Sequence, residues 1–107
     1  MRIGLASMVL LLSPAALAQS LPGDTWSGRN LALRICSDCH VVAEDQARPT
    51  TDSAPPFAAV VRDVAVTALS LRAFLQTSHK DMPNLVLSPA ETDDLVSYML
   101  SIRSIRR

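Results

Sequence analysis

The sequence predicts one all-α domain of about four short helices, and three observations carry that prediction. Apolar residues recur at helical spacing in four separate segments. No segment alternates apolar and polar residues as a half-buried strand does. Helix-start signals stand at the heads of these segments, most clearly at Ser88-Pro89-Ala90-Glu91. There a Ser-x-x-Glu capping box coincides with proline at the first helical position.

Residues 1–18 read as a secretory signal peptide and stand apart from the domain. Arg2 supplies the positive charge, residues 3–12 are almost wholly apolar, Pro14 interrupts the run, and Ala16-Leu17-Ala18 is a small-x-small cleavage pattern. An uncleaved membrane anchor competes with this reading, but the run is short for a span and Pro14 sits inside it. Cleavage near Ala18 leaves residues 19–107 as an exported, slightly acidic domain, with the periplasm as its expected compartment and no membrane span.

Within that domain Pro22-Gly23 belongs to an extended lead-in. Asp24 or Thr25 caps a first helix to about Ile35, whose apolar stripe is Leu31, Ala32 and Ile35 with Gly28 one turn earlier. Residues 41–56 hold a cluster of helix breakers ending in Ala54-Pro55-Pro56 and read as loop. Phe57, Val60, Val61 and Val64 fall at i, i+3, i+4 and i+7, a short amphipathic helix built on weak helix formers. Thr67 opens a third helix that buries Leu71, Phe74 and Leu75 and ends near Ser78. A loop around Met82-Pro83 precedes the last helix, which buries Leu95, Tyr98, Met99 and Ile102. Arg103, Arg106 and Arg107 lie at its negative end, where they favour the macrodipole.

Ten basic residues balance ten acidic ones, so there is no basic excess of the kind a nucleic-acid binder shows. A domain this small has a marginal core and commonly adds disulfides or a cofactor. Both cysteines of the chain lie in Cys36-Ser37-Asp38-Cys39-His40. A disulfide closing so short a loop constrains little chain. The Cys-x-x-Cys-His spacing is instead that of covalent haem attachment: two sulfurs reach one porphyrin edge, and the next histidine binds the iron. Random placement produces this motif roughly once in three thousand arrangements. A thioredoxin-type pair requires a βαβ context that is absent. A zinc site from Cys36, Cys39, His40 and His79 has the right ligand count but an unusual adjacency of Cys39 and His40.

With the motif placed, roughly residues 24–103 resemble a class I monohaem cytochrome c of the bacterial periplasmic kind. Gly28, eight residues before Cys36, resembles the glycine that lets the first and last helices cross closely. Tyr98 resembles the aromatic at that crossing, and Met82-Pro83 resembles the distal ligand loop. Pro55 resembles the proline whose carbonyl accepts a hydrogen bond from the proximal histidine. Ala32 departs from the aromatic many relatives carry, Pro55-Pro56 is doubled, and the loop after His40 lacks the usual glycines.

The resemblance implies a cytochrome c fold packed around one haem c held by Cys36 and Cys39, with His40 and Met82 as axial ligands. Met99 lies on the apolar face of the last helix and reads as core filler. His79, three residues before Met82, is the competing sixth ligand and otherwise a solvent-facing loop residue. Phe57, Leu71, Phe74, Leu85 and Leu95 are expected either to line the haem pocket or to serve as ordinary core. Arg48 and Lys80 are candidates for propionate pairing or a docking rim, and Trp26 for covering a haem edge or a helix end. The implied protein is a monomeric electron carrier, not an enzyme, that meets an oxidase, reductase or dehydrogenase by transient contact. A haem-binding subunit of a larger oxidoreductase, and a gas-binding or peroxidase-like domain with a labile sixth ligand, are the alternatives.

Overall fold

Capping and close helix contact shape the fold, seen in a computed structural model that describes residues 21–51, 54–78 and 81–105. The segment read as a signal peptide, His79, Lys80, Arg106 and Arg107 lie outside the described residues. Helix α1 spans Thr25–Ile35. Asp24 holds an extended conformation before it, and its carboxylate accepts the Ser27 amide hydrogen at 2.7 Å, satisfying a donor the helix cannot use itself. Gly28, Leu31 and Ala32 are buried as the stripe predicts. Ile35 is not: it is 39% exposed, because it lies at the helix end, one turn beyond the contact made at Gly28 and Ala32.

Helix α2 covers only Phe57–Val60, where the valine spacing predicts continuation through Val64. Val64 is 74% exposed. Two competitors stop the helix. The Asp63 carboxylate accepts the Ala65 amide hydrogen at 2.9 Å, a local side-chain turn. The Arg103 guanidinium donates to the carbonyls of Val61, Asp63 and Val66 at 2.7, 2.9 and 2.7 Å, occupying acceptors outside any regular helix. Arg103 therefore does more than favour the dipole of its own helix.

Helix α3 spans Ala68–Leu75 and opens with a reciprocal Thr67/Ser70 capping box. Leu71 is buried and Leu75 packs against the core, but Phe74 is half exposed. The helix stops short of Ser78, and the Thr77 hydroxyl donates to last-turn carbonyls of Ala73 and Phe74.

Helix α4 spans Pro89–Ile105 behind the predicted capping box: Ser88 N–H donates to Glu91 Oε2 at 2.9 Å, and Glu91 N–H to Ser88 Oγ at 3.1 Å. It is the centre of the domain, since α1, α2 and α3 all pack on it. Encirclement explains why Leu95 to Met99 are buried without interruption, where a single amphipathic stripe predicts only three of those five. Leu95, Val96, Val42 and Val61 form the deepest core, and Met99 is buried with them.

The α1–α4 crossing is close enough to demand glycine. A Cβ on Gly28 would stand 2.0 Å from the Asp94 carbonyl oxygen and 2.8 Å from Tyr98 Cβ. A Cβ on Gly23, in the lead-in, would likewise stand 2.0 Å from the Asp93 carbonyl oxygen. Polar ties reinforce the packing on α4: Asp24 N–H, at the head of α1, donates to Asp94 Oδ1 at 2.7 Å, and Arg72 of α3 pairs with Asp93 at 2.5 Å. Among the described residues the architecture is four helices without a strand.

Candidate functional site

The end of α1 builds the Cys36–His40 segment directly. Cys36 N–H donates to the Ala32 carbonyl, and His40 N–H to the Cys36 carbonyl, both at 2.9 Å; Cys39 N–H reaches the same Cys36 oxygen at 3.2 Å. The backbone thus continues as one tight turn past the helix. Residues at i, i+3 and i+4 of such a turn share a face, which brings Cys36, Cys39 and His40 to one side. The Ser37 hydroxyl closes the turn on the Leu33 carbonyl at 2.6 Å.

Neither cysteine is tied in a disulfide; Cys36 is buried and Cys39 exposed. Burial, with Cys39 beside it, pushes the Cys36 thiol up to about 11. His40 Nδ1 lies 2.6 Å from the Pro55 carbonyl oxygen. A carbonyl only accepts, so the Nδ1 position carries the hydrogen and Nε2 keeps a lone pair for a metal. The His40 ring also meets buried Phe57, with centroids 5.5 Å apart and planes tilted by 56°.

The loop from Val41 to Pro56 wraps this centre. Phe57 N–H donates to the Val41 carbonyl, and Thr50 donates through both its amide and hydroxyl to the Asp38 carbonyl. Arg29 pairs with Asp45 at 2.6 Å, joining α1 to the loop. Tyr98 Oη donates to the Val42 carbonyl at 2.6 Å, joining α4 to it. Gln46, to which the sequence reading assigns nothing, bonds through its side-chain amide to backbone groups from Ser37 to Ala47. A cleft beside Cys39 is lined by Val41, Arg48, Pro49, Thr51, Ala54 and Pro56.

The other predicted residues are placed unevenly. Met82 is half-buried in the loop leading to α4, as is Leu85. Leu71 and Leu95 are core, whereas Trp26 is 67% exposed at the start of α1. No three His, Cys, Asp or Glu side chains among the described residues converge as a metal site, and His79, the fourth ligand of the zinc alternative, lies outside those residues. The donor set suits haem instead: two sulfurs one turn apart, an imidazole oriented through Nδ1 with Nε2 free, and an aromatic against its ring.

Comparison with known proteins agrees with that fit. The chain is 38% identical over 104 residues to cytochrome c-552 of Bradyrhizobium diazoefficiens, covering 96% of this chain and 99% of the relative. This chain belongs to the monohaem c-type cytochromes. The cytochrome is a haem electron carrier, not an enzyme, and its cofactor is a covalently bound haem c with iron. No family model matches the sequence, and no solved structure matches it. Its all-α architecture agrees with the cytochrome c fold.

Proposed function

We propose that this cytochrome is exported to the periplasm, with cleavage near Ala18, and carries electrons there with His40 and Met82 as the axial ligands of its iron. In this reading Cys36 and Cys39 hold the haem by thioether bonds. The observation that carries it is the 2.6 Å approach of His40 Nδ1 to the Pro55 carbonyl, in the same turn as both cysteines. That bond selects the tautomer able to bind iron through Nε2 and makes the imidazole more electron-rich. When bound, the haem supplies a one-electron Fe(III)/Fe(II) couple. Phe57 packs against the histidine ring and restricts water beside it. The Met82 thioether is a soft donor that favours the ferrous state and raises the potential.

Export rests on the charge, apolar run and small-x-small pattern of residues 1–18. Among the described residues no helix is long and apolar enough to cross a membrane. Redox partners meet the protein through a small transient interface, and a near-neutral net charge predicts weak electrostatic steering of that encounter.

Absorption spectroscopy of the purified haem protein tests the ligation. The expected spectrum is low-spin with a methionine–iron charge-transfer band. Met82→Ala should keep the haem attached and lose that band, while Cys36→Ala with Cys39→Ala should lose covalent haem in a pyridine haemochrome assay. Ready binding of carbon monoxide to the reduced unsubstituted protein would overturn the six-coordinate assignment.

A further inference from the structure

We propose that Gln46 is a positioning residue for the redox centre, whose side-chain amide grips the backbone on both sides of His40 and so sets the orientation of that imidazole at the iron. The inference rests on the reading of His40 as proximal ligand. Gln46 Oε1 accepts the amide hydrogens of Val42 and Ala43, the second at 2.9 Å. Gln46 Nε2 reaches the carbonyls of His40 at 3.0 Å, Ala47 at 3.2 Å and Ser37 at 3.4 Å. A primary amide has two donor hydrogens and two acceptor lone pairs, so this one is fully engaged with backbone. It joins the Cys36–His40 turn to the loop that follows, in a stretch without regular structure.

The geometry gives this grip a consequence at the ring. His40 is held at two ends: its carbonyl by Gln46, and its Nδ1 by Pro55, far along the same loop. Tyr98 fixes the carbonyl of Val42, whose amide Gln46 also holds. When Gln46 is removed, the His40 backbone is free to shift relative to Pro55, and the Nδ1 bond weakens. The imidazole then donates less electron density, the ferric state loses stabilisation, and the potential rises.

The test compares haem-loaded variants. Gln46→Glu keeps an acceptor for Val42 and Ala43 but at neutral pH donates to no carbonyl. Gln46→Leu, of similar size, loses both functions. Asp45→Ala cuts the Arg29 tie to the same loop and leaves Gln46 in place. Three quantities are measured: the haem-methyl shift pattern of the ferric protein by proton NMR, which reports axial-ligand orientation, the reduced-to-oxidised ratio at a fixed ambient potential, and thermal unfolding. Both Gln46 variants should alter the shift pattern, and the uncharged Gln46→Leu should raise the ratio several-fold, while Asp45→Ala leaves the shift pattern unchanged and lowers the unfolding temperature. If the Gln46 variants also lower only the unfolding temperature, the residue is merely structural and the proposal is wrong. Should neither accumulate as haem protein, Gln46→Asn, too short to span both sides, carries the same readouts. A His40→Ala protein that kept its low-spin spectrum would instead remove the ligand assignment itself, whatever Gln46 does.

Discussion

Tyr98 joins helix packing to the haem loop in a single side chain. Its ring is buried at the α1–α4 crossing, beside Gly28, and its hydroxyl donates to the carbonyl of Val42, itself a core residue. Burial raises the phenol above its ordinary pKa, so it remains a donor at neutral pH. Tyr98→Phe keeps the ring and leaves a buried carbonyl without its partner. The expected loss is about 1–2 kcal/mol in denaturant unfolding of the haem protein. A loss below about 0.5 kcal/mol would mean that the Val42 oxygen finds another donor. The aromatic is legible in the helical spacing of α4, but its hydrogen bond is not, because Val42 is 56 residues away in sequence. Gln46 is harder still to read. A glutamine in a polar loop carries no periodicity, and its role exists only once the backbone has curled around it.

At the level of the helix, the starts were more legible than the stops. Asp24 and Ser88-Glu91 cap α1 and α4 through contacts three residues apart; spacing alone reveals the second and narrows the first to Asp24 or Thr25. Both carboxyl groups lie below their ordinary range, chiefly through backbone hydrogen bonds, from Ser27 to Asp24 and from Ser88 to Glu91. A carboxyl whose folded pKa is depressed favours the folded state above its unfolded value. That contribution begins to fade as pH falls below 4.5 for Glu91 and 3.8 for Asp24, and is gone once the lower folded values are passed. Asn and Gln retain the acceptor oxygen without titrating. The double variant Asp24→Asn with Glu91→Gln is therefore expected to lose stability less steeply between pH 5 and about pH 3 in thermal melts. An unchanged acid limb would show that other groups control it. The length of α2 was not legible for the opposite reason: Arg103, arriving from the far end of α4, takes the carbonyls beyond Val60.

For the whole molecule, α4 is the surface on which α1, α2 and α3 meet, while the end of α1 and the loop after it form the haem site. The buried apolar core is small, and Val41 and Ile35, on either side of the Cys36–His40 turn, stay substantially open. A domain of this size gains from an apolar cofactor that binds only the folded state. Cys36→Ala with Cys39→Ala, produced without haem, is accordingly expected to lack the cooperative thermal transition of the haem protein, as read by circular dichroism. A cooperative transition at a similar temperature would show that the four helices suffice alone.

Local and periodic information determined the helical class, the four segments, the cap at Ser88, and the grouping of Cys36, Cys39 and His40, and narrowed the first cap to Asp24 or Thr25, because one turn of chain relates each set. Gly28 and Pro55 were also marked, but only through resemblance, since their partners Asp94 and His40 are distant in sequence. The tertiary structure alone decided where α2 stops, that Phe74 and Ile35 turn outward, that Gly23 must be small, and that Gln46 and Tyr98 converge on the loop around His40. These depend on which surfaces meet once α4 is surrounded, and a pattern read along one segment carries no record of what packs against it from another.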